Sequence, residues 1–239
     1  MFRFFLKSTI EDPQNIVITD KEAVKKITKV LRLQVGDVFV IFDSNGEEYE
    51  VRIQELKSKQ VLCSLVSRLN IDRELPVEIN LYQSLLKKDK FEWLCQKVTE
   101  IGVKRIIPVI SENCVVKDLN SNKAKRYQKI IEEATAQSGG KIPTAFYKIK
   151  NFEEVILGLK QNELNLIAHE DERQNKLFDI LNEKRVNKIN ILIGPEGGFS
   201  QDEINLALRN SVVPVSLGKR ILRAETAAIL ASGLIALSH

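Results

Sequence analysis

The sequence predicts an α/β protein with two parts, an N-terminal β-barrel of short strands and a C-terminal α/β domain around a parallel sheet. Short apolar runs separated by turn residues fill the first part, whereas strand and helix patterns alternate after Pro76. The polar segment 70–76 (NIDRELP) lies between these two patterns and ends in proline, which is typical of a boundary. We therefore expect the barrel over residues 1–70 and the α/β domain over residues 71–239.

Turn chemistry and alternation predict the elements of the barrel. The clearest signal is the segment 44–47 (SNGE), because Asn-Gly between two apolar runs is typical of a β-hairpin. Strands are predicted over 2–6, 16–19, 37–42, 49–55 and 60–67, with one helix over 21–33.

Apolar stripes predict the helices of the second part. In the helix predicted over 88–101, Phe91, Leu94 and Val98 share one face, and Gly102 follows as its cap. The other predicted helices are 124–138, 152–160, 175–183, 201–209 and 223–237. The predicted strands are 77–83, 105–110, 164–168, 189–193 and 212–217.

Composition restricts the class of protein. The 239 residues are 44% hydrophobic and 28% charged, and no apolar run is long enough to span a bilayer. No signal-peptide cleavage site follows the N-terminal apolar residues, so we expect a cytoplasmic protein. Cys63, Cys95 and Cys114 are odd in number and widely spaced, which predicts buried free thiols and no metal site.

The first motif that bears on function is INILIGPEGGFSQDEI, residues 189–204, a predicted strand, turn and helix. Ser200 and Glu203 have the spacing of a capping box, which marks the helix start. Gly194, Gly197 and Gly198 allow a ligand to approach the backbone, although a sharp turn would need glycines as well. Phosphate-binding glycine patterns are absent and Pro195 removes an amide donor, so an adenine-like ligand fits better than a polyphosphate.

The second motif is SLGKRILRAETAAIL, residues 216–230, where a strand end leads into an alanine-rich helix. The dipole at a helix N-terminus favours Glu225 but not Arg223. The position of Arg223 therefore indicates either a task outside the helix, such as holding a phosphate or polarising a base, or a salt bridge to a nearby carboxylate.

Together these motifs resemble the RsmE-type family of ribosomal RNA uridine-N3 methyltransferases, within the SPOUT class. The segments that carry the resemblance are FRFF (2–5), KITKVLRLQVGD (26–37), KKDKFEWLCQKVTEIGVKRIIPVISENCVV (87–116), YQKIIEEATAQSGG (127–140), ILIGPEGGFSQDEI (191–204) and SLGKRILRAETA (216–227). They follow the family's order over nearly the whole chain, and the last two are highly specific. The chain departs from the family at Lys26, where His is usual, and at Gly139-Gly140-Lys141, where Arg is usual.

The resemblance implies a PUA-like RNA-binding barrel and a SPOUT domain whose C-terminus forms a trefoil knot. It also implies a homodimer, S-adenosyl-L-methionine as cofactor, and small-subunit (16S) ribosomal RNA as substrate. The cofactor-binding residues that it implies are Ala168, His169, Glu170, Gly194, Pro195, Glu196, Gly197, Gly198, Leu217, Gly218, Ile221, Leu222, Arg223 and Thr226.

The expected reaction needs a group that stabilises the anion formed when uracil N3 loses its proton. Arg223 is the first candidate for that catalytic role and Arg220 the second. Glu225 or Glu196 is expected to orient Arg223 or to accept the proton, and His169 is expected to line the cofactor loop rather than act as a base. The expected RNA contacts are Arg3, Arg32, Lys87, Lys88, Lys90, Lys97, Gln137 and Lys141.

Other interpretations stay open from the sequence. The chain could be a ribosomal RNA-binding factor that no longer binds the cofactor, a SPOUT methyltransferase for another RNA base, or a nucleotide-using small-molecule enzyme with an oligomerising barrel. The intact turns at 194–198 and 216–227 argue against the first, and the missing phosphate motifs argue against the last.

Overall fold

A computed structural model describes residues 1–87, 89–183 and 186–239. The chain divides into two compact units. The N-terminal unit comprises Met1–Glu74 together with Thr135–Pro143, and the C-terminal unit comprises Leu75–Ala134 and Thr144–His239. No sequence pattern predicts that Thr135–Pro143 joins the first unit, because this segment ends a helix and contains no strand-like alternation.

A five-stranded sheet forms the N-terminal unit, in the order β1-β3-β4-β5-β2. The strands are β1 (Arg3–Phe5), β2 (Ile16–Ile18), β3 (Val38–Phe42), β4 (Glu48–Leu56) and β5 (Val61–Leu69). β1 pairs parallel with β3, and the other neighbours pair antiparallel. The predicted hairpin is confirmed, since Phe42 on β3 lies opposite Glu48 on β4 and Gly46 between them has φ 77°. Fully buried side chains such as Phe39, Ile41 and Val51 form its core.

The helix predicted over 21–33 is shorter than expected. α1 spans Lys21–Lys25, a single π-helical turn follows over Lys26–Val30, and Arg32 has a left-handed backbone with φ 53°. The Thr28 hydroxyl donates to the Val24 carbonyl at 2.8 Å and so competes with the regular helical ladder. The helical segment ends at Val30, just before Arg32 leaves helical geometry, so the helical pattern of the sequence is longer than the helix.

The C-terminal unit has the parallel sheet that the sequence predicts, in the order β12-β10-β11-β6-β7-β8, with β9 also pairing with β7. Every neighbouring pair in it is parallel. The strands are β6 (Glu78–Ser84), β7 (Arg105–Ile110), β8 (Ala145–Phe146), β9 (Lys150–Asn151), β10 (Leu164–Ala168), β11 (Lys188–Ile193) and β12 (Val213–Val215). β8 and β9 were not predicted, because two residues are too few to make a pattern.

Helices of this unit begin and end close to their predicted bounds. They are α2 (Lys90–Ile101), α3 (Ser121–Ser138), α4 (Phe152–Gly158), α5 (Leu177–Glu183), α6 (Gln201–Arg209) and α7 (Ala224–Leu237). Gly102 ends α2 with φ 100°, and the capping box between Ser200 and Glu203 is present at the start of α6, so both predicted caps are confirmed. Within the described ranges, no helix combines the length and apolarity needed to cross a membrane.

Three buried asparagines cross the centre of the parallel sheet in register. Asn80 Nδ2 donates to Asn190 Oδ1 at 2.8 Å, and Asn190 Nδ2 donates to Asn165 Oδ1 at 2.7 Å. These amides satisfy one another across β6, β11 and β10, as buried polar groups must. They lie near the amino ends of their strands, so they are distant from the turns that follow the carboxyl ends.

Candidate functional site

A cavity of about 430 Å³ opens at the carboxyl edge of the parallel sheet, where the turns after β10, β11 and β12 meet. Open α/β sheets bind ligands at this edge, and small-molecule sites commonly have volumes of about 300–1,000 Å³. The structure brings together the following predicted cofactor residues as its lining: Ala168, His169, Glu170, Gly194, Pro195, Glu196, Gly198, Leu217, Gly218, Ile221, Leu222 and Arg223. The two glycine-bearing motifs therefore form one site, although they are separate in sequence.

Two predicted cofactor residues, Gly197 and Thr226, do not line this cavity. Gly197 instead faces Asn113, whose Nδ2 donates to the Gly197 carbonyl at 3.2 Å, and a Cβ at Gly197 would lie 3.3 Å from the Asn113 Cβ. Thr226 lies exposed on the first turn of α7. In this structure the glycine at position 197 therefore serves the packing of the turn against Asn113.

The turn after β11 needs glycine at both of its ends. A Cβ at Gly194 would lie 3.2 Å from the backbone carbon of Gly198, which is closer than ordinary packing allows. Gly198 has φ 69°, and its amide donates to the Pro195 carbonyl at 3.0 Å. The structure thus supports both interpretations of this motif, a tight turn and a backbone that a ligand can approach.

Several lining residues were missed by sequence reasoning. They are Arg173, Ile193, Phe199, Val215, Ser216, Ala224 and Ala227, together with Lys90, which we had expected to contact RNA. Ile193, Val215 and Ser216 end or follow strands, so the rule that ligands bind at carboxyl strand ends would have found them. Arg173 lies in the longer loop after β10, and nothing in the sequence indicates that it turns back towards the cavity.

Positive charge dominates the cavity wall. Lys219, Arg220 and Arg223 are exposed, and within the described residues none of them forms an ion pair or hydrogen bond. Arg223 is the N-cap residue of α7 and has extended backbone geometry. These guanidinium and ammonium groups are therefore available to a nucleic-acid phosphate or to the carbonyl oxygen of a base.

Lys90 pairs with two acidic residues beside the cavity. Its Nζ lies 3.1 Å from Glu196 Oε1 and 3.8 Å from Glu225 Oε2. Burial raises the pKa of Glu196, but hydrogen bonds from its own backbone amide, from Lys90 and from the Lys87 amide outweigh burial and leave that pKa below its usual value. Glu196 is therefore ionised at neutral pH and bound to the start of α2.

The proposed catalytic glutamate, Glu225, is buried beside the cavity and is not part of its lining. Its Oε2 makes no hydrogen bond within the described chain. By contrast, the candidates Arg220 and Arg223 lie on the wall itself. The two arginines can reach a ligand in the cavity, whereas Glu225 can act on it only through a neighbour.

The residues expected to bind RNA have varied surroundings. Arg32, Lys87 and Gln137 are exposed, while Lys141 is half-buried with its amide donating to Glu74 Oε1 at 2.8 Å. Lys97 pairs with Glu100 at 3.0 Å on α2. Lys88 lies outside the described residues.

Arg3 was expected to contact RNA, but the structure gives it protein partners. Its Nη2 lies 2.7 Å from Glu48 Oε1, and its guanidinium lies 4.7 Å from the Phe42 ring centroid. It also donates to the carbonyls of Ala136 at 3.1 Å and Gly140 at 3.3 Å. Because these partners occupy most of its donors, Arg3 holds the end of α3 within the N-terminal unit and is not free to bind a phosphate.

Cys63, Cys95 and Cys114 are buried and free, as the sequence predicts. In the part of the chain that the structure describes, no group of three or more His, Cys, Asp or Glu residues is arranged to hold a metal ion.

Comparison with known proteins identifies the family. A family model described as an RNA methyltransferase domain matches residues 73–236, and one described as an RNA methyltransferase PUA domain matches residues 18–66. The ribosomal RNA small subunit methyltransferase E of Bacillus subtilis is 30% identical over 98% of this chain and 96% of its own length. The chain belongs to the ribosomal RNA small subunit methyltransferase E family. The resemblance found in the sequence motifs is thereby confirmed.

Other members of the family agree with this assignment. The Rickettsia conorii enzyme of the same name is 30% identical over 96% of this chain and 92% of its own. The crystal structure of the Neisseria gonorrhoeae enzyme, bound to S-adenosyl methionine, superposes with a TM-score of 0.89 at 31% identity, covering 97% of this chain and 95% of that one. The mixed α/β fold with a PUA-like N-terminal part is therefore shared with this methyltransferase family.

Proposed function

We propose that this chain transfers the methyl group of S-adenosyl-L-methionine to N3 of a uridine in 16S ribosomal RNA. The observation that carries the proposal is the cavity at the carboxyl edge of the sheet, which both glycine-bearing turns line together with the exposed cations of the second turn. Relatives with the same fold are named for small-subunit ribosomal RNA, and one of them binds this cofactor. We infer that a protein acting on this substrate works in the cytoplasm.

The cavity wall suits each chemical part of the cofactor. Leu217, Ile221 and Leu222 provide apolar contact for an adenine ring, and Gly194 and Gly198 leave backbone groups open to hydrogen bonding. The carboxylates of Glu170 and Glu196 suit a ligand that carries a sulfonium and an ammonium group. When bound, the cofactor supplies an electrophilic methyl group in a fixed orientation.

The chain's own contribution to the reaction is positioning and charge. Arg223, exposed on the wall and without a protein partner among the described residues, would donate to a uracil oxygen and stabilise the anion left when N3 is deprotonated. Arg220 on the same turn is the second candidate. Glu196, which is ionised at the wall, is better placed than the buried Glu225 to receive a hydrogen bond from the substrate.

We assign RNA binding to the barrel, residues 1–70, and methyl transfer to residues 71–239. The exposed residues Arg32, Lys87 and Gln137, with Lys141, are the candidates for RNA contact. Lys97 is also retained as a candidate, although its ammonium group already pairs with Glu100. Exposed lysines and arginines bind the phosphate backbone without regard to sequence, so the choice of uridine must depend on RNA shape.

A homodimer is the assembly that α7 favours. This helix is apolar on nearly all sides, yet Leu230 is exposed and Leu237 is 89% exposed. Trp93 is also exposed on α2, the helix that packs against α7. Helices that are apolar all round are normally buried, so we infer that a second copy covers this surface.

We also infer that the C-terminal segment forms a trefoil knot. β12 lies at one end of the sheet, whereas α7, which follows it, packs against β6 and β11 near the centre. The connecting segment 217–223 must therefore return across the carboxyl edge, beside the turns that follow β10 and β11. Threading of that return beneath a neighbouring loop would close the knot.

Nucleoside analysis tests the proposed function. Small ribosomal subunits from a strain lacking the gene are incubated with the purified protein and S-adenosylmethionine, and the RNA is then digested and analysed by mass spectrometry. We expect one 3-methyluridine per 16S RNA and none without the cofactor. A methyl group on another base would contradict the proposed position, and RNA binding without any methylation would favour a non-catalytic binding factor.

A further inference from the structure

One lysine links the two turns that form the cavity. Lys90, the first residue of α2, lies within 3.1 Å of Glu196 on the turn after β11 and within 3.8 Å of Glu225 on the first turn of α7. Glu225 comes two residues after the turn 217–223. A single ammonium group thus contacts carboxylates that belong to both sides of the cavity.

The contact with Lys90 matters energetically because Glu225 is buried. Glu225 is only 7% exposed, and its Oε2 makes no hydrogen bond within the described residues. A buried carboxylate is unfavourable unless an opposite charge lies close to it. Lys90 supplies that charge, so the position of its side chain and the position of the α7 start depend on each other.

The turn after β11 is bound to the same place by a second contact. Glu196 Oε1 accepts from the Lys87 backbone amide at 3.2 Å as well as from Lys90 Nζ at 3.1 Å. The beginning of α2 therefore holds the turn 194–198 through one carboxylate and the turn 217–223 through the other.

An RNA phosphate would have to compete with these partners for Lys90. Its side chain is only 35% exposed, and both of its ionic partners lie within 4 Å. Lys90 also lines the cavity itself. These surroundings favour a role at the cofactor site over the RNA contact that the sequence suggested.

We propose that Lys90 is a positioning residue, which holds the turns 194–198 and 217–223 at the separation that the cofactor requires and does not contact RNA phosphate. This inference rests on the proposed function, because the cofactor it concerns is S-adenosylmethionine. Its consequence is that loss of the Lys90 charge weakens cofactor binding while RNA binding by the cofactor-free protein is unaffected.

The test compares Lys90→Met, Lys90→Arg and a control, Lys150→Met, in the full-length protein. Lys150 pairs with Glu154 at 2.9 Å on the surface and is not part of the cavity lining. Calorimetry measures affinity for S-adenosylmethionine, and fluorescence anisotropy measures affinity for a 16S RNA fragment at several salt concentrations without cofactor. We expect Lys90→Met to weaken cofactor binding roughly tenfold. Lys90→Arg should recover most of that loss, and Lys150→Met should match the wild type.

Salt dependence separates the two roles of Lys90. Under the proposal, the RNA affinity of Lys90→Met and the slope of its salt dependence equal those of Lys150→Met. Unchanged cofactor affinity with weaker RNA binding and a flatter slope would identify Lys90 as a phosphate contact and overturn the proposal. An Arg variant no better than the Met variant would overturn it as well.

Two further outcomes are distinguishable. Wild-type protein that binds no S-adenosylmethionine would refute the proposed function itself, whereas a binding wild type with an unaffected Lys90→Met variant refutes only the role of Lys90. Thermal melting checks that each variant is folded. Should Lys90→Met fail to fold, Glu225→Gln removes the partner carboxylate that does not line the cavity, and unchanged cofactor affinity in that variant would overturn the proposal.

Discussion

Gly194 lies so close to Gly198 in the turn after β11 that a Cβ at Gly194 would lie 3.2 Å from the carbonyl carbon of Gly198. A side chain at Gly194 would therefore require its neighbours to shift. This contact sets the shape of the turn that forms one side of the cavity, and it makes the cavity sensitive to a single added methyl group.

Gly194→Ala should therefore weaken binding of S-adenosylmethionine by roughly tenfold or more, because the turn must shift to admit the Cβ. Calorimetry measures this change. Gly158→Ala is the matched control, because a Cβ there would meet nothing within 4 Å, and its cofactor affinity should equal that of the wild type. Equal affinities for the two variants would show that the turn does not contact the cofactor.

Arg223→Ala should lower the rate of methyl transfer by about a hundredfold or more, because loss of one donor to a developing anion has an effect of that order. Its affinity for S-adenosylmethionine should remain close to that of the wild type. Single-turnover methylation and calorimetry measure the two quantities. Arg209→Ala, at the exposed end of α6, is the control. A parallel loss of rate and cofactor affinity would make Arg223 a cofactor or structural residue instead.

Glu48→Gln should destabilise the N-terminal unit strongly. Glu48 is 1% exposed and accepts from both Arg3 and Arg73, so its neutralisation leaves two cations without their counter-charge. Breaking a buried ion pair lowers the free energy of unfolding by about 3–5 kcal/mol. Urea unfolding followed by circular dichroism measures this loss.

The control for Glu48 is Glu55→Gln, which removes an exposed pair with Lys57. Exposed pairs contribute at most about 1 kcal/mol, so its free energy of unfolding should be nearly that of the wild type. A loss in Glu48→Gln no larger than that in the control would show that the cluster around Arg3 does not stabilise the unit.

Acid stability should depend on Glu163. Burial raises the pKa of this carboxyl group, but hydrogen bonds from Asn190 and Lys188 outweigh burial and leave the pKa below its ordinary value of 4.5. A pKa lower in the folded state than in the unfolded state contributes stability above the unfolded value. That contribution is lost as pH falls below 4.5 through the folded pKa.

Melting temperatures between neutral pH and about pH 3 test this dependence. Glu163→Gln should melt at a lower temperature than the wild type at neutral pH and should lose less stability on acidification. Glu154→Gln, at the exposed pair with Lys150, should follow the wild-type curve. Parallel curves for Glu163→Gln and the wild type would contradict the assigned pKa shift.

Local chemistry explains which features could be predicted from the sequence. Asn45-Gly46 forms the hairpin, Gly102 ends α2, and Ser200 and Glu203 start α6, and each of these depends on neighbours within a few residues. The alternation of strand and helix patterns along the sequence also predicted the parallel sheet. Because parallel strands place their carboxyl ends at one edge, the meeting of the two glycine-bearing turns could also be predicted.

Contacts between distant parts of the chain could not be predicted. Arg3 and Gly140 are 137 residues apart, and their contact draws Thr135–Pro143 into the N-terminal unit. Lys90 and Glu196 are 106 residues apart, so the sequence showed only a lysine in a basic cluster. A lysine or arginine carries the same charge whether it binds RNA or pairs with a carboxylate of the protein. Only the folded structure distinguishes these two roles.

A crystal structure of the protein soaked with S-adenosylmethionine tests the central claim most directly. We predict density for one molecule inside the cavity, with its adenine against Leu217, Ile221 and Leu222 and its methyl group directed towards Arg223. Density at any other place, or a turn 194–198 that makes no contact with the bound molecule, would contradict the assignment of this cavity as the methyl-donor site.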